Sequence, residues 1–355
     1  MTRRISVAIV GCGNVATRYA EQLASYENIN LVGFSDLDPE RAAEFAEEYG
    51  GKAYASLDEL LADSEVELVV NLTIHLAHVE VITKCLEANK HVHTEKPLAM
   101  DPAEAMRLVE MAEQKGLRFT SAPITYMGDA QQAAWKVIRE GKLGTARLAY
   151  AEVNHGRIET WHPNPEPFYS VGVLWDVGLY PLTILTAFYG PVRKVTASSH
   201  LLYPNRVTQE GRPFTITTPD CWFAILAFEC GLVARFTANF YAKNSRQGGS
   251  IEVHGDEGCI YLGNFQNFSA PVTYTPWGGE TETVEPANEP YKGIEFARGV
   301  KDLADAILHD RPHRANARHA AHVIDILAAI QKSAADHQPT AVTSEFPQPW
   351  PMDWA

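Results

Sequence analysis

A chain of 355 residues is longer than one ordinary hydrophobic core supports, so two domains are expected. Its 46% hydrophobic and 21% charged residues fit folded globular protein and exclude long disorder; a net charge of -14 excludes nucleic acid or an anionic membrane as the main partner, since both need a basic face. Five scattered cysteines (Cys12, Cys85, Cys221, Cys230, Cys259) make no C-x-x-C pair or Cys/His cluster, so no metal site is expected and the thiols read as reduced, in a cytoplasmic protein. No apolar stretch approaches the roughly 20 residues of a membrane span.

Arg3-Arg4 precede an apolar run at 5-10, but that run is short and enters a glycine motif directly, which predicts a strand rather than a signal peptide. Helical spacing follows through Ala16, Tyr19, Ala20 and Leu23. The alternation continues: strand 30-35, helix 39-49 opened by Asp38-Pro39, a short strand at 53-54, helix 57-63, strand 67-74, helix 77-88, strand 91-94, helix 102-115 and strand 117-122. Strands alternating with helices predict a doubly wound parallel sheet of Rossmann type over residues 1-123.

After Pro123 period-two segments appear at 146-154, 192-199, 222-229, 232-240 and 249-262. They predict an α+β domain over 124-355 with an open, mostly antiparallel sheet. Helical segments at 129-140, 182-189, 292-308 and 316-334 are expected to cover one face, leaving the other to a second subunit in a homodimer or homotetramer. The Pro-rich end at 346-351 reads as an extended tail.

Gly11-x-Gly13-x-x-Ala16 stands between a predicted strand and helix, where glycines permit a tight turn and a pyrophosphate meets the helix N-terminus. Asp36 ends the second strand and suits the adenosine ribose hydroxyls, which favours NAD over NADP. NADP stays possible through Arg41 if Asp36 turns away; Asp38 reads as the cap of the next helix. Glu95-Lys96-Pro97 falls at the carboxyl end of the fifth strand, where open α/β sheets bind ligands. Further on, if Asp176 and Tyr180 share the opening turn of one helix, they lie on one face, and a tyrosine beside a lysine cation suits proton exchange with a hydroxyl. The alternative reading has Asp176 capping the helix and Tyr180 packed in the core.

The chain resembles the Gfo/Idh/MocA oxidoreductase family. The resemblance rests on Ala8-Ile9-Val10-Gly11-Cys12-Gly13, Thr73 with His78, HVHTEKPLA at 91-99, the Gly141-Lys142-Leu143-Gly144 turn and D-x-G-x-Y at 176-180. It implies that Lys96 polarises the reacting hydroxyl, Asp176 contacts substrate or the catalytic pair, and residue 180 exchanges the proton. Many members carry histidine at that last position; this chain has tyrosine, as some branches do. It also departs at Ile74-His75, where members often show Pro-Asn, and at Tyr126-Met127, where many have an arginine-aromatic pair.

The expected cofactor set is therefore Gly11, Cys12, Gly13, Asn14, Val15, Asp36, Thr73, His75, His78, Glu95 and Lys96, with Lys96, Asp176 and Tyr180 catalytic. The loop at 154-163 supplies substrate candidates: Trp161 to stack on a sugar ring, and His155, Arg157 and His162 to read its hydroxyls, with Tyr126 beside them. The predicted activity is hydride transfer between NAD(P) and a hydroxyl-bearing carbon of a sugar, polyol or glycoside. Rival readings are a redox-neutral glycoside-processing enzyme with tightly held NAD and a non-catalytic dinucleotide-binding regulator.

Overall fold

The structure, a computed structural model, describes residues 3-355. The chain divides into two compact units, one reaching Ile124 and resuming over Glu295–Ile324, the other comprising Thr125–Ile294 and Asp325–Ala355.

In the first unit six strands lie parallel: β1 (Ile5–Val10), β2 (Ile29–Ser35), β3 (Lys52–Tyr54), β4 (Leu68–Asn71), β5 (His91–Thr94) and β6 (Phe119–Ser121). Their order is β3-β2-β1-β4-β5-β6, so the direction of winding reverses between β1 and β4. Five helices alternate with them: α1 (Ala16–Ser25), α2 (Pro39–Tyr49), α3 (Leu57–Ala62), α4 (His78–Glu87) and α5 (Pro102–Gln114). The β-branched run of β1 is almost wholly buried, as a strand covered on both faces must be. Ile5, Val7 and Ile9 meet Ala16, Tyr19, Ala20 and Leu23 of α1 in one core. Asp38 and Asp101 cap α2 and α5 through their carboxylates, each followed by proline at the first helical position.

The second unit comprises helices α6 (Asp129–Arg139), α7 (Glu166–Val171), α8 (Val173–Asp176) and α9 (Leu179–Tyr189), with strands β7 (Ala146–Asn154), β8 (Val192–His200), β9 (Asn205–Val207), β10 (Pro213–Thr215), β11 (Cys221–Phe228), β12 (Val233–Asn239), β13 (Ile251–Gly255), β14 (Gly258–Leu262), β15 (Val272–Pro276), β16 (Glu282–Thr283) and β17 (Thr340–Ala341). Nine of them form one sheet in the order β16-β15-β14-β13-β7-β12-β11-β8-β17, in which only β7 and β12 pair in parallel; β9 and β10 form a separate hairpin. Helix α6 packs on β14 and β15, α8 on β12 and α9 on β7. Trp222, Ala224, Leu226 and Phe228 of β11 point to the buried side, whereas Phe223 and Ile225 alternate outward and stay nearly half exposed.

Two expectations are corrected. The segments 292-308 and 316-334 do not both cover this sheet: helix α10 (Arg298–Leu308) packs on β1 and β6, its Val300, Leu303 and Ala304 entering the core of the first unit. Helix α11 (Ala317–Asp336) gives its residues to Ile324 to that unit and the remainder to the second. An amphipathic stripe fixes that a helix has a buried face, not which sheet receives it. The Pro-rich tail lies on its own chain, Gln348 donating to the Ala187 and Phe188 carbonyls at the end of α9.

Candidate active site

The glycine turn stands at the switch point of the first sheet. Gly11 has φ +93°, and a Cβ there would come within 2.7 Å of the Leu72 and Thr73 backbone, so only glycine lets the turn pass the end of β4. Gly13 differs. Its φ is ordinary and a Cβ would meet nothing within 4 Å, so nothing in the protein itself demands glycine, and the space beside it is open to the close approach of a ligand. Asn14 is exposed beside it, and α1 follows its N-cap residue Val15 with no side-chain cap and no acidic residue in its first turn, leaving amide donors and a positive helix end for a phosphate. These residues fit a dinucleotide pyrophosphate.

Asp36 closes one side. Its Oδ2 accepts from the Cys12 amide at 2.6 Å and its Oδ1 from the Asp38 amide at 2.9 Å, which fixes a carboxylate at the end of β2. Burial, and then the charge of Asp36, pushes the Cys12 thiol up to about 12, so this cysteine stays protonated. On the other side Asn71 Oδ1 accepts from the amide and hydroxyl of Thr73, ending β4 short of the expected residue 74. In the loop that follows, Ile74 and Leu76 are largely exposed around a half-buried His75, and Leu37 beyond β2 is fully exposed. Sequence reasoning missed these three apolar side chains.

His78 joins this loop to the lysine turn. Its Nδ1 lies 2.7 Å from the Pro97 carbonyl oxygen and its Nε2 3.0 Å from that of Thr73. Burial lowers its pKa, and the two carbonyls oppose that shift.

Beneath Lys96 runs a buried chain of hydrogen bonds whose direction the chemistry dictates. His93 is fully buried, and burial pushes its pKa down to about 3, so the imidazole is neutral. The Tyr19 hydroxyl gives its single proton to Glu95 Oε1, at 2.9 Å, because a carboxylate only accepts. Its contact with His93 Nε2, at 3.2 Å, is then a bond donated by the ring, and Nδ1 accepts from Thr120 Oγ1 at 2.7 Å. Glu95 Oε2 accepts from the Lys96 amide at 3.0 Å, so the relay ends by fixing the backbone that carries the lysine. Tyr19, His93 and Thr120 were not foreseen; a histidine inside a fully buried strand was the available signal, since such a group must find partners.

In the second unit Asp176 and Tyr180 do not share one continuous helical turn. Asp176 is the last residue of α8; α9 opens after its cap residue Gly178 and includes Tyr180. The break is tight, a Cβ on Gly178 falling 2.5 Å from the Leu174 carbonyl oxygen. Asp176 therefore lies outside the cap position of α9. The Tyr180 ring is buried and lies 6.1 Å from that of Phe265.

The 154-163 loop gathers three of the four substrate candidates it carries. The Trp161 ring lies 5.7 Å from His155 and 5.6 Å from His162, both edge-on, and Phe168 of α7 closes the cluster 4.8 Å from His162. Trp161 keeps 44% of its surface exposed. The fourth, Arg157 of the same loop, places its guanidinium over the rings of Tyr203 and Tyr241. Tyr126 is buried in a short 3-10 turn, its carbonyl accepting from Gln132 at 2.7 Å.

Residues 5-122 match the family described as "Oxidoreductase family, NAD-binding Rossmann fold", and residues 131-261 match the GFO/IDH/MocA C-terminal domain. The chain belongs to the Gfo/Idh/MocA family. A bovine relative in this family, trans-1,2-dihydrobenzene-1,2-diol dehydrogenase from Bos taurus, is 28% identical over 257 residues, 72% of each chain. Among solved structures, an NAD binding oxidoreductase from Klebsiella pneumoniae superposes with a TM-score of 0.86 at 21% identity, covering 96% of this chain and all of its own. A levoglucosan dehydrogenase in complex with NADH and L-sorbose does so with a TM-score of 0.84 at 19% identity, covering 97% of this chain and 100% of its own. This member of the family is thus an oxidoreductase with an NAD-binding Rossmann fold and the family's C-terminal domain.

Proposed function

We propose that this protein is an NAD-preferring dehydrogenase acting on a hydroxyl-bearing carbon of a sugar, polyol or glycoside. The observation that carries the substrate class is the half-exposed Trp161 ring flanked by His155 and His162: an aromatic face suits the C–H face of a sugar ring, and imidazoles suit its hydroxyls. A levoglucosan dehydrogenase of the same fold that takes L-sorbose supports it.

Gly11, Cys12, Gly13, Asn14 and Val15 hold the pyrophosphate, and Asp36 takes the adenosine ribose hydroxyls. Leu37, Ile74 and Leu76 give an adenine apolar cover that their exposure otherwise leaves unexplained. Thr73, His75, His78 and Glu95 shape the nicotinamide end. The bound dinucleotide supplies the nicotinamide carbon that exchanges a hydride with the carbinol carbon. Tyr180 takes the hydroxyl proton as the carbonyl forms and returns it in the reverse direction. Lys96 polarises and holds the reacting oxygen, and Asp176 contacts the substrate. The outward apolar side chains Phe223 and Ile225 suit pairing with a second copy in a homodimer or homotetramer.

The test is a Tyr180→Phe variant assayed with sugars, polyols and glycosides for reduced-nicotinamide absorbance, beside dinucleotide binding. Loss of turnover by about 100-fold or more with binding retained is expected. Retained turnover removes the role of Tyr180. Products without net NADH, with dinucleotide retained through purification, replace this reading by a redox-neutral one.

A further inference from the structure

The guanidinium of Arg157 sits 4.3 Å from the ring centroid of Tyr203 and 4.7 Å from that of Tyr241. Its backbone is pinned, the carbonyl accepting from both the amide and the hydroxyl of Thr160 at 3.1 and 2.7 Å. Yet its side chain forms no hydrogen bond or ion pair among the described residues, and contact with ring faces satisfies none of its five N–H donors.

Carboxylates are close in the chain but committed. Glu159, two residues on, gives its oxygens to Arg206, at 3.0 and 3.2 Å, and accepts the Tyr169 hydroxyl. Asp220 accepts from Arg206 at 2.6 Å and from the amides of Leu202 and Tyr203. Arg206 is wholly buried and thus holds both acids of the region, one on each side of its fork. In a chain with 44 acidic residues against 30 basic ones, this half-buried arginine is braced by two tyrosines and has no acid at ion-pair distance among the described residues.

We infer that the substrate of this enzyme carries a carboxylate, bound by Arg157, and is therefore a sugar acid such as a uronate or an aldonate. The inference rests on the dehydrogenase reading and deepens it. A planar guanidinium pairs with a carboxylate through two parallel bonds, and the Tyr203 and Tyr241 rings hold it at low entropic cost.

The experiment compares kcat/KM for hexuronates and aldonates of gluco, galacto and manno configuration with that for their parent aldoses and hexose 6-phosphates, in the natural protein, Arg157→Gln and Arg157→Lys. The natural protein is expected to prefer an acid over its parent aldose by about 10-fold or more. Arg157→Gln should cut that ratio by about 10- to 100-fold, mainly through KM, with Arg157→Lys between the two. A purely structural role for Arg157 would lower acid and neutral substrates together and leave the ratio unmoved, which overturns the inference. So does a preference for neutral aldoses or for phosphates, with the dehydrogenase reading intact. Failure of every substrate class to yield NADH overturns the dehydrogenase reading itself.

Discussion

Asp36 is the side chain on which the expected preference between NAD and NADP turns. Both its oxygens are occupied by amides, of Cys12 and Asp38, so the carboxylate faces the glycine turn and has not turned away. The one cation that could greet a 2′-phosphate, Arg41, leans on Asp38 at 3.4 Å instead. A 2′-phosphate brought here meets negative charge on two sides. Asp36→Ala should therefore weaken NAD and improve NADP, moving the ratio of their kcat/KM values by about 10-fold or more. An unchanged ratio would remove Asp36 from the ribose site. Position 36 was legible because strand, turn and acid recur at fixed spacing. Tyr19 and His93 were not, because their role arises only when β5 and α1 are packed, and no spacing in the chain brings residue 19 to residue 95.

Among the elements, two glycines lead to opposite expectations. Gly178 sits where α8 gives way to α9, and its Cβ would strike backbone, 2.5 Å from the Leu174 oxygen and 3.2 Å from its carbonyl carbon, which cannot swing aside. Gly178→Ala should cost about 1-3 kcal/mol and lower the thermal midpoint. Gly13→Ala meets open space at an ordinary φ, so stability should hold while dinucleotide affinity falls. Thermal melts with and without NAD separate the two; equal destabilisation would mean that Gly13 serves the fold and not a ligand. The helix expected at 182-189 forms, but Asp176 and Tyr180 fall on two helices, a break whose marks in the sequence are Gly178 and Pro181. Element types were otherwise legible through 122 from strand and helix periods. The destination of α10 was not, since a stripe of Val300, Leu303 and Ala304 suits either sheet.

At the scale of the whole molecule the two units differ in how they carry histidine. His78, His91, His93, His313 and His319 all belong to the first unit, and burial pushes each below its ordinary value, to about 3 for His93 and His319 and about 4 for His313. Unfolding lets these rings return toward the ordinary pKa of 6.5. Between that value and the depressed ones the unfolded chain binds more protons than the native one. Their contribution is whole above about pH 6.5 and is lost as pH falls, at up to about 1.4 kcal/mol per pH unit for each ring. The half-buried carboxylate of Asp63, held down to about 2 by the Lys52 ammonium, enters only in stronger acid. None of these five rings lies in the second unit, which holds all seven tryptophans, at positions 135, 161, 175, 222, 277, 350 and 354. Mild acid should therefore melt helix and strand signal in circular dichroism before tryptophan fluorescence changes, with the first midpoint well below pH 6.5. A His93→Asn variant should move that midpoint to lower pH relative to its own stability at pH 8. Coincident transitions by both probes, unmoved by the substitution, would mean that the buried rings do not govern acid unfolding and that the two units lose structure as one.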